Sequence, residues 1–256
     1  MLASERMEIL VAEPLDDPEV GFGLQQALLE EVAAKDRGPT ALIWTSSRYV
    51  GATRKETRLR EFGAATRTAA DLGFPVLVRN SGGGAVAANR GSLSYSLTFP
   101  VEDLRHGLYE RYAEGLDLIA SALGRIGVEA ERGEVEGEFC PGAYSVRSGG
   151  PRGVKHAGLA QRVTRRAARL EALVLVSETA EIRTVLERFY GLLGLPFRPE
   201  GVGDLPSDVP TVIRALSEEV RGRYEASEGR IGKATMDRAR ALRGEWIFVP
   251  DSSTSR

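Results

Sequence analysis

The sequence predicts an α/β (α+β) fold built on one sheet, and three observations carry that reading. Leu93, Tyr95, Leu97 and Phe99 alternate with Ser94, Ser96 and Thr98, the period-two pattern of a strand. Leu108, Tyr112, Leu116, Ile119, Leu123 and Ile126 recur at steps of three and four, the stripe of an amphipathic helix. Extended and helical patterns then alternate along most of the chain, which favours a sheet covered by helices.

Composition sets the outer bounds. The 256 residues suffice for one large domain, or one domain with an extension, and for a substantial core. Lys plus Arg total 34 against 36 Asp plus Glu, a net charge of −2, so no global field argues for nucleic acid or an anionic membrane. Residues 1–20 carry Glu5, Arg6, Glu8, Asp16 and Asp17 and no long apolar run, which points to the cytosol. The single cysteine excludes an intrachain disulfide framework. With only His106 and His156, far apart, the spacing shows no metal-ligand cluster.

Taken in order, Leu24, Leu28 and Val32 predict a helix over 23–34, and the apolar run 40–45 with Trp44 predicts a strand. Arg48-Tyr49-Val50-Gly51 reads as a loop, followed by a helix from Thr57-Arg58-Leu59 to Gly73. A short apolar run from Val76 breaks at Ser81-Gly82-Gly83-Gly84 before the alternating strand. The long helix follows Pro100, and 131–153 reads as irregular. Strands are expected at 154–160 and 170–176, joined by a turn at Arg165-Arg166. Ile182, Val185, Leu186 and Phe189 mark a helix, and after a Pro/Gly-rich loop over 196–210 Val212, Leu216, Val220 and Tyr224 mark another. A third begins near Gly232, its Lys233, Arg238, Arg240 and Arg243 reading as a solvated face. The polar tail 251–256 is expected to be disordered.

Two stretches carry chemistry. Three consecutive glycines cost backbone entropy without adding packing, so the loop at 82–84 serves either positive φ or a close approach to its backbone. The glycines alone fit an ordinary hairpin loop equally well. The second stretch runs from Cys140 to Gln161. A lone cysteine is a small buried hydrophobe or a nucleophile, and Cys140 lies in a loop beside Pro141-Gly142, outside any apolar period. Lys155 sits in the otherwise apolar run Val154-Lys155-His156-Ala157-Gly158-Leu159, although its spacing alone suits a surface lysine.

Arg79-Asn80-Ser81-Gly82-Gly83-Gly84-Ala85-Val86, followed by Gly91-Ser92-Leu93, resembles the signature loop of the biotin/lipoate protein ligase and octanoyltransferase superfamily. Phe139-Cys140-Pro141-Gly142-Ala143-Tyr144-Ser145 and Lys155-His156-Ala157-Gly158-Leu159-Ala160-Gln161-Arg162 together resemble its LipL branch, the octanoyl-[glycine cleavage H protein]:protein N-octanoyltransferases. The likeness covers most of residues 40–190. The chain departs from the pattern at Ala88-Asn89-Arg90, at His156 and at Arg162-Val163.

The resemblance implies a mixed central sheet flanked by helices over residues 1–195, with 196–256 a helical C-terminal extension. It implies an acyl pocket walled by Arg79, Asn80, Ser81, Gly82, Gly83, Gly84, Ala85 and Val86, with Tyr49 near the mouth. The apolar residues of the 93–99 strand would be further walls. Cys140 would take an octanoyl or lipoyl group from a donor, glycine cleavage H protein or acyl carrier protein, and pass it to a lysine of an acceptor lipoyl domain. Lys155 would activate the thiol, and N–H groups near Lys155 and Gly158 would stabilise the oxyanion. No cofactor, metal, nucleic acid or membrane enters this scheme, and it implies a monomer. Two alternatives remain open: an ATP-dependent lipoate–protein ligase, which has no need of Cys140, and a carrier-binding paralogue without activity.

Overall fold

A computed structural model describes residues 6–103 and 107–248. His106 and the polar tail 251–256 lie outside the described residues. In chain order the elements are β1 (Arg6–Val11), α1 (Pro18–Ala34), β2 (Thr40–Trp44), β3 (Tyr49–Thr53), α2 (Phe62–Asp71), β4 (Val76–Arg79), β5 (Val86–Ala88) and β6 (Ser92–Pro100). They continue with α3 (Leu108–Arg125), β7 (Glu131–Arg132), β8 (Ser145–Ser148), β9 (Val154–Val163), β10 (Ala167–Leu175), α4 (Thr179–Leu192), α5 (Val209–Arg223), β11 (Glu225–Glu228) and α6 (Lys233–Leu242).

Eight strands form one mixed sheet in the order β11-β1-β2-β6-β10-β9-β8-β7, parallel at β11-β1-β2 and antiparallel beyond. The expected α/β architecture with a mixed central sheet is therefore present. Leu93, Tyr95, Leu97 and Phe99 of β6 pack on one sheet face with Leu116, Ile119 and Leu123 of α3 and Leu216 and Val220 of α5. The opposite face is covered by α1, α2, α4, α6 and a second sheet of order β4-β3-β5.

The serines and Thr98 of β6 are buried as well, so the polar stripe of this strand does not face water. It faces α1, which lies tight on the sheet because Gly21 leaves room for the Trp44 ring. A Cβ there would sit 2.2 Å from that ring.

Several local readings are corrected. Residues 49–53 form β3, the centre of the small sheet, where a loop was expected; five residues with Gly51 inside give too little periodicity to announce a strand. The helix expected from Thr57 begins only at Phe62, after a 3₁₀ turn at Glu56–Arg58. The stretch 131–153 contributes β7 and β8. The segment beyond Leu195 is helical at α5 and α6 as expected, but it also supplies β11, which pairs with β1, while α6 lies along α1. β1 and β11 left no signal strong enough to be read.

One buried residue makes stability depend on pH. His156 is 4% exposed, its Nε2 bonded to Ser148 Oγ at 2.8 Å and its Nδ1 without a partner. Burial pushes the imidazole down from 6.5 to about 4. The unfolded chain therefore takes up this proton first as pH falls, so stability is full above about 6.5 and is lost progressively toward about 4, by about 3 kcal/mol. Urea midpoints across this range should fall more steeply for the natural chain than for His156→Phe. Parallel slopes would remove His156 from the account.

Candidate active site

The glycine loop connects β4 to β5, and these strands do not pair with each other, because β3 lies between them. The loop is therefore no hairpin turn; it crosses the end of β3 and brings its backbone against the Cys140 loop. Glu56, 5% exposed, fixes the loop's base: it accepts hydrogen bonds from Ala85 N at 2.6 Å and from Thr53 N at 2.8 Å.

Cys140 adopts φ +45°, a backbone state that costs on the order of 1–3 kcal/mol for a residue with a side chain. Neighbouring groups hold each of its polar groups. Its N–H donates to Tyr190 Oη at 2.7 Å, and that hydroxyl donates to Ala85 O at 2.7 Å, tying the cysteine loop to the glycine loop. Burial pushes the Tyr190 hydroxyl far above its ordinary value, so it stays protonated as a donor. The carbonyl oxygen of Cys140 accepts from Lys155 Nζ at 3.2 Å. The sulfur receives Gly84 N–H at 3.1 Å and lies 3.5 Å from Arg79 Nη2. Gly83 has φ +97°, and a Cβ there would lie 2.6 Å from Sγ, so both its backbone angle and its emptiness are required.

The resemblance gives Lys155 the part of activating the thiol; the structure shows what its ammonium binds. Lys155 is fully buried and its ammonium is bound to Glu138 Oε1 at 2.8 Å and Phe139 O at 2.9 Å, 4.6 Å above the Phe139 ring. It grips the main chain of the cysteine loop. The cation that reaches the sulfur is Arg79. A bulge explains the aim of Lys155: Arg147 pairs with Lys155 and Val146 with Ala157, leaving His156 as the extra residue on β9. The extra residue brings Gly158 under Lys155, where a Cβ would lie 3.0 Å from Cε and 3.1 Å from Nζ. Gly158 itself pairs with Ser145 and Leu173 inside the strand ladder.

Arg79 is 7% exposed and donates to Ser81 Oγ at 2.8 Å and Gly84 O at 2.7 Å. Behind it lies Glu171, 3.6 Å away and bonded by Arg169 at 2.8 Å. Burial pushes the Glu171 carboxyl up, but the Arg169 and Arg79 charges and the bonds from Ser81 and Arg169 outweigh it, leaving the carboxyl below its ordinary value. It stays ionised and fixes both arginines.

Cys140, Lys155 and Arg79 line a narrow cleft with a cavity volume of about 50 Å³. Phe22, Trp44, Tyr49, Val86, Leu159 and Leu173 make its apolar walls. That combination of a largely apolar hollow and a few convergent polar groups is the form of a small-ligand site. Tyr49 is an inner wall, 3% exposed and stacked on Trp44; burial raises its hydroxyl to about 12.

From β6 only Ser94 reaches the cleft, because the apolar residues of that strand point to the opposite sheet face. Asn80, Ser81, Gly82 and Gly83 border a separate cup outside the loop, while Ala85 is buried. Sequence reasoning missed Glu56, Glu138, Glu171 and Tyr190. Only the Thr53-x-x-Glu56 spacing of a capping box offered a signal for any of them.

A family described as the lipoyl protein ligase A/B catalytic domain matches residues 17–223. The chain is 31% identical over 205 residues to an octanoyl-[GcvH]:protein N-octanoyltransferase of Geobacillus kaustophilus, covering 80% of this chain and 71% of that protein. A lipoyl-[GcvH]:protein N-lipoyltransferase of Listeria monocytogenes is 25% identical, covering 80% and 72%. Among solved structures, a lipoate-protein ligase A bound with ATP superposes with TM-score 0.75 over 95% of each chain at 17% identity. The bipartite lipoate protein ligase of Thermoplasma acidophilum gives 0.72 over 94% and 93% at 16%. The fold, the matched length and the identity agree: this chain belongs to the lipoyl protein ligase A/B catalytic domain family.

Proposed function

We propose that this protein moves an octanoyl or lipoyl group from a donor carrier, the glycine cleavage H protein, to a lysine of acceptor lipoyl domains, through a thioester on Cys140. The observation that carries this reading is the immobilised cysteine, with its N–H, C=O and Sγ each held, at the polar end of an apolar cleft. The names of the relatives supply the donor.

In the first half-reaction the Cys140 sulfur, as thiolate, attacks the acyl carbonyl of the donor's acyl-lysine. The carbon–nitrogen bond breaks, and the lysine amine departs after taking up a proton. The acceptor's neutral lysine amine then attacks the thioester, the carbon–sulfur bond breaks, the thiolate is restored and the new amide nitrogen loses its extra proton. Gly84 N–H and Arg79 stabilise charge on the departing sulfur, and Lys155 with Tyr190 keeps the loop in its attacking geometry.

Intact-mass measurement after mixing with octanoylated H protein, without ATP, tests the relay. The expected result is one octanoyl unit on Cys140. Modification of lipoyl domains that depends on ATP and free lipoate would overturn it in favour of a ligase. Absence of both activities would mark a non-catalytic carrier-binding protein.

The cleft should also read chain length. At about 0.8 kcal/mol per buried CH₂, removing four methylenes forfeits roughly 3 kcal/mol, so octanoyl donors should acylate Cys140 at least about a hundredfold faster than butanoyl donors. Single-turnover rates check this, and equal rates would show that the acyl chain lies elsewhere.

A further inference from the structure

On the outer side of the glycine loop lies the second hollow, the cup bordered by Thr53, Arg54, Lys55, Asn80, Gly83 and Arg162. It adjoins the acyl cleft through a shared lining residue. Arg79 borders both, and Gly83 lies against the Cys140 sulfur. The cup therefore lies beside the loop that touches the thiol without being part of the acyl pocket.

Its charge is uncompensated. Arg54 and Lys55 are exposed and form no ion pair among the described residues. Arg162 is half-buried; among the described residues its hydrogen bond is a long one, 3.4 Å, to Asn80 O, and its Nε has no partner. The nearest acid in sequence, Glu56, is turned inward and spent on Thr53 and Ala85. This contrasts with the interior of the site, where Glu171 balances Arg79 and Arg169 and Glu138 balances Lys155. It also contrasts with a net charge of −2 for the whole chain. Arg58 and Leu59, 36% exposed, extend the same loop with another cation and an apolar contact.

Arg54 and Lys55 are exposed on the loop after β3, where a docked protein surface can meet them, as at a protein-docking rim. We propose that this cup docks an acidic face of the acyl-bearing carrier domain, with Arg54, Lys55 and Arg162 supplying the complementary charge. The acyl arm then passes Gly83 to reach Cys140. This rests on the acyl-transfer reading above and adds the recognition surface to it.

The test compares two donors with the full chain and Arg54→Glu/Lys55→Glu, two exposed changes whose folding is checked by thermal melting. With octanoylated H protein, kcat/KM should fall tenfold or more, mainly through KM, and its salt dependence should flatten. With the uncharged octanoyl N-acetylcysteamine thioester, Cys140 should be acylated at the unaltered rate. Fluorescence anisotropy with unacylated H protein reads docking without chemistry, and the double variant should bind at least tenfold more weakly. Unchanged anisotropy or unchanged carrier kcat/KM would overturn the proposal, as would an equal loss with both donors. Failure of the unaltered enzyme to acylate Cys140 from either donor would instead sink the transfer reading, while anisotropy still decides the docking.

Discussion

Replacing Cys140 by Ala should abolish acyl transfer, at least about a thousandfold in turnover, while thermal stability changes little. The sulfur is half-exposed at the end of a cleft, and the bonds that order its loop run through its backbone N–H and C=O, which alanine keeps. The side chain adds two hydrogen bonds to sulfur, a weak acceptor, from Gly84 N–H and Arg79 Nη2. A substitution that leaves backbone anchors intact and removes little packing falls among the mild ones for folding. For a covalent relay it removes the only atom that can carry the acyl group. Steady-state transfer from octanoylated H protein, with circular dichroism and thermal melting alongside, gives both readouts. Retention of more than a few per cent of the activity would exclude the thioester route.

Replacing Lys155 by Met is expected to have a large effect on folding as well as on rate. The ammonium and the Glu138 carboxylate are both fully buried as side chains and 2.8 Å apart. Glu138 also accepts Val135 N–H at 2.8 Å and Ser145 Oγ at 2.7 Å, so it cannot leave its site. Removing one partner of a buried pair strands the other charge, a loss of about 3–5 kcal/mol. The carbonyls of Phe139 and Cys140 lose their donor in the same step, which frees the cysteine loop from its left-handed conformation. Chemical denaturation should show the loss, and Lys155→Met/Glu138→Gln should recover a good part of it, because the amide keeps an acceptor for Val135 and no longer carries charge. Activity should stay low in both variants. If the single variant unfolds at the natural denaturant concentration, the pair does not hold the loop.

These two expectations divide along the line between what local sequence can express and what it cannot. The α3 stripe from Leu108 to Ile126, the period-two run of β6 and the extended stretches that became β9 and β10 were legible, because each is long enough for its own periodicity to emerge. The glycine triplet and Cys140 stood out in the sequence as candidates, since three glycines in a row are costly and a lone cysteine is reactive enough to be noticed. The short elements β3, β7, β8 and β11 have only two to five residues each and are stabilised by partners distant in sequence, so no local pattern announces them.

Which side a residue faces was decided by tertiary structure. The alternation of β6 identified two faces, but α3 and α5 claimed the apolar one, leaving the cleft beside Cys140 to Phe22, Trp44, Tyr49 and the β9–β10 residues. The phase of β9 was reset by the bulge at His156, a one-residue event of pairing register, and Lys155 meets the loop's carbonyls. The groups that complete the site, Glu56, Glu138, Glu171 and Tyr190, come from four separate elements or loops; Tyr190 reaches Ala85 from 105 positions away. Hydrogen bonds and ion pairs act through space, and burial makes them strong, so their partners are fixed only once the chain has closed around them. The sequence by itself singled out the candidate residues; folding decided which cation meets the thiol and which one holds the loop.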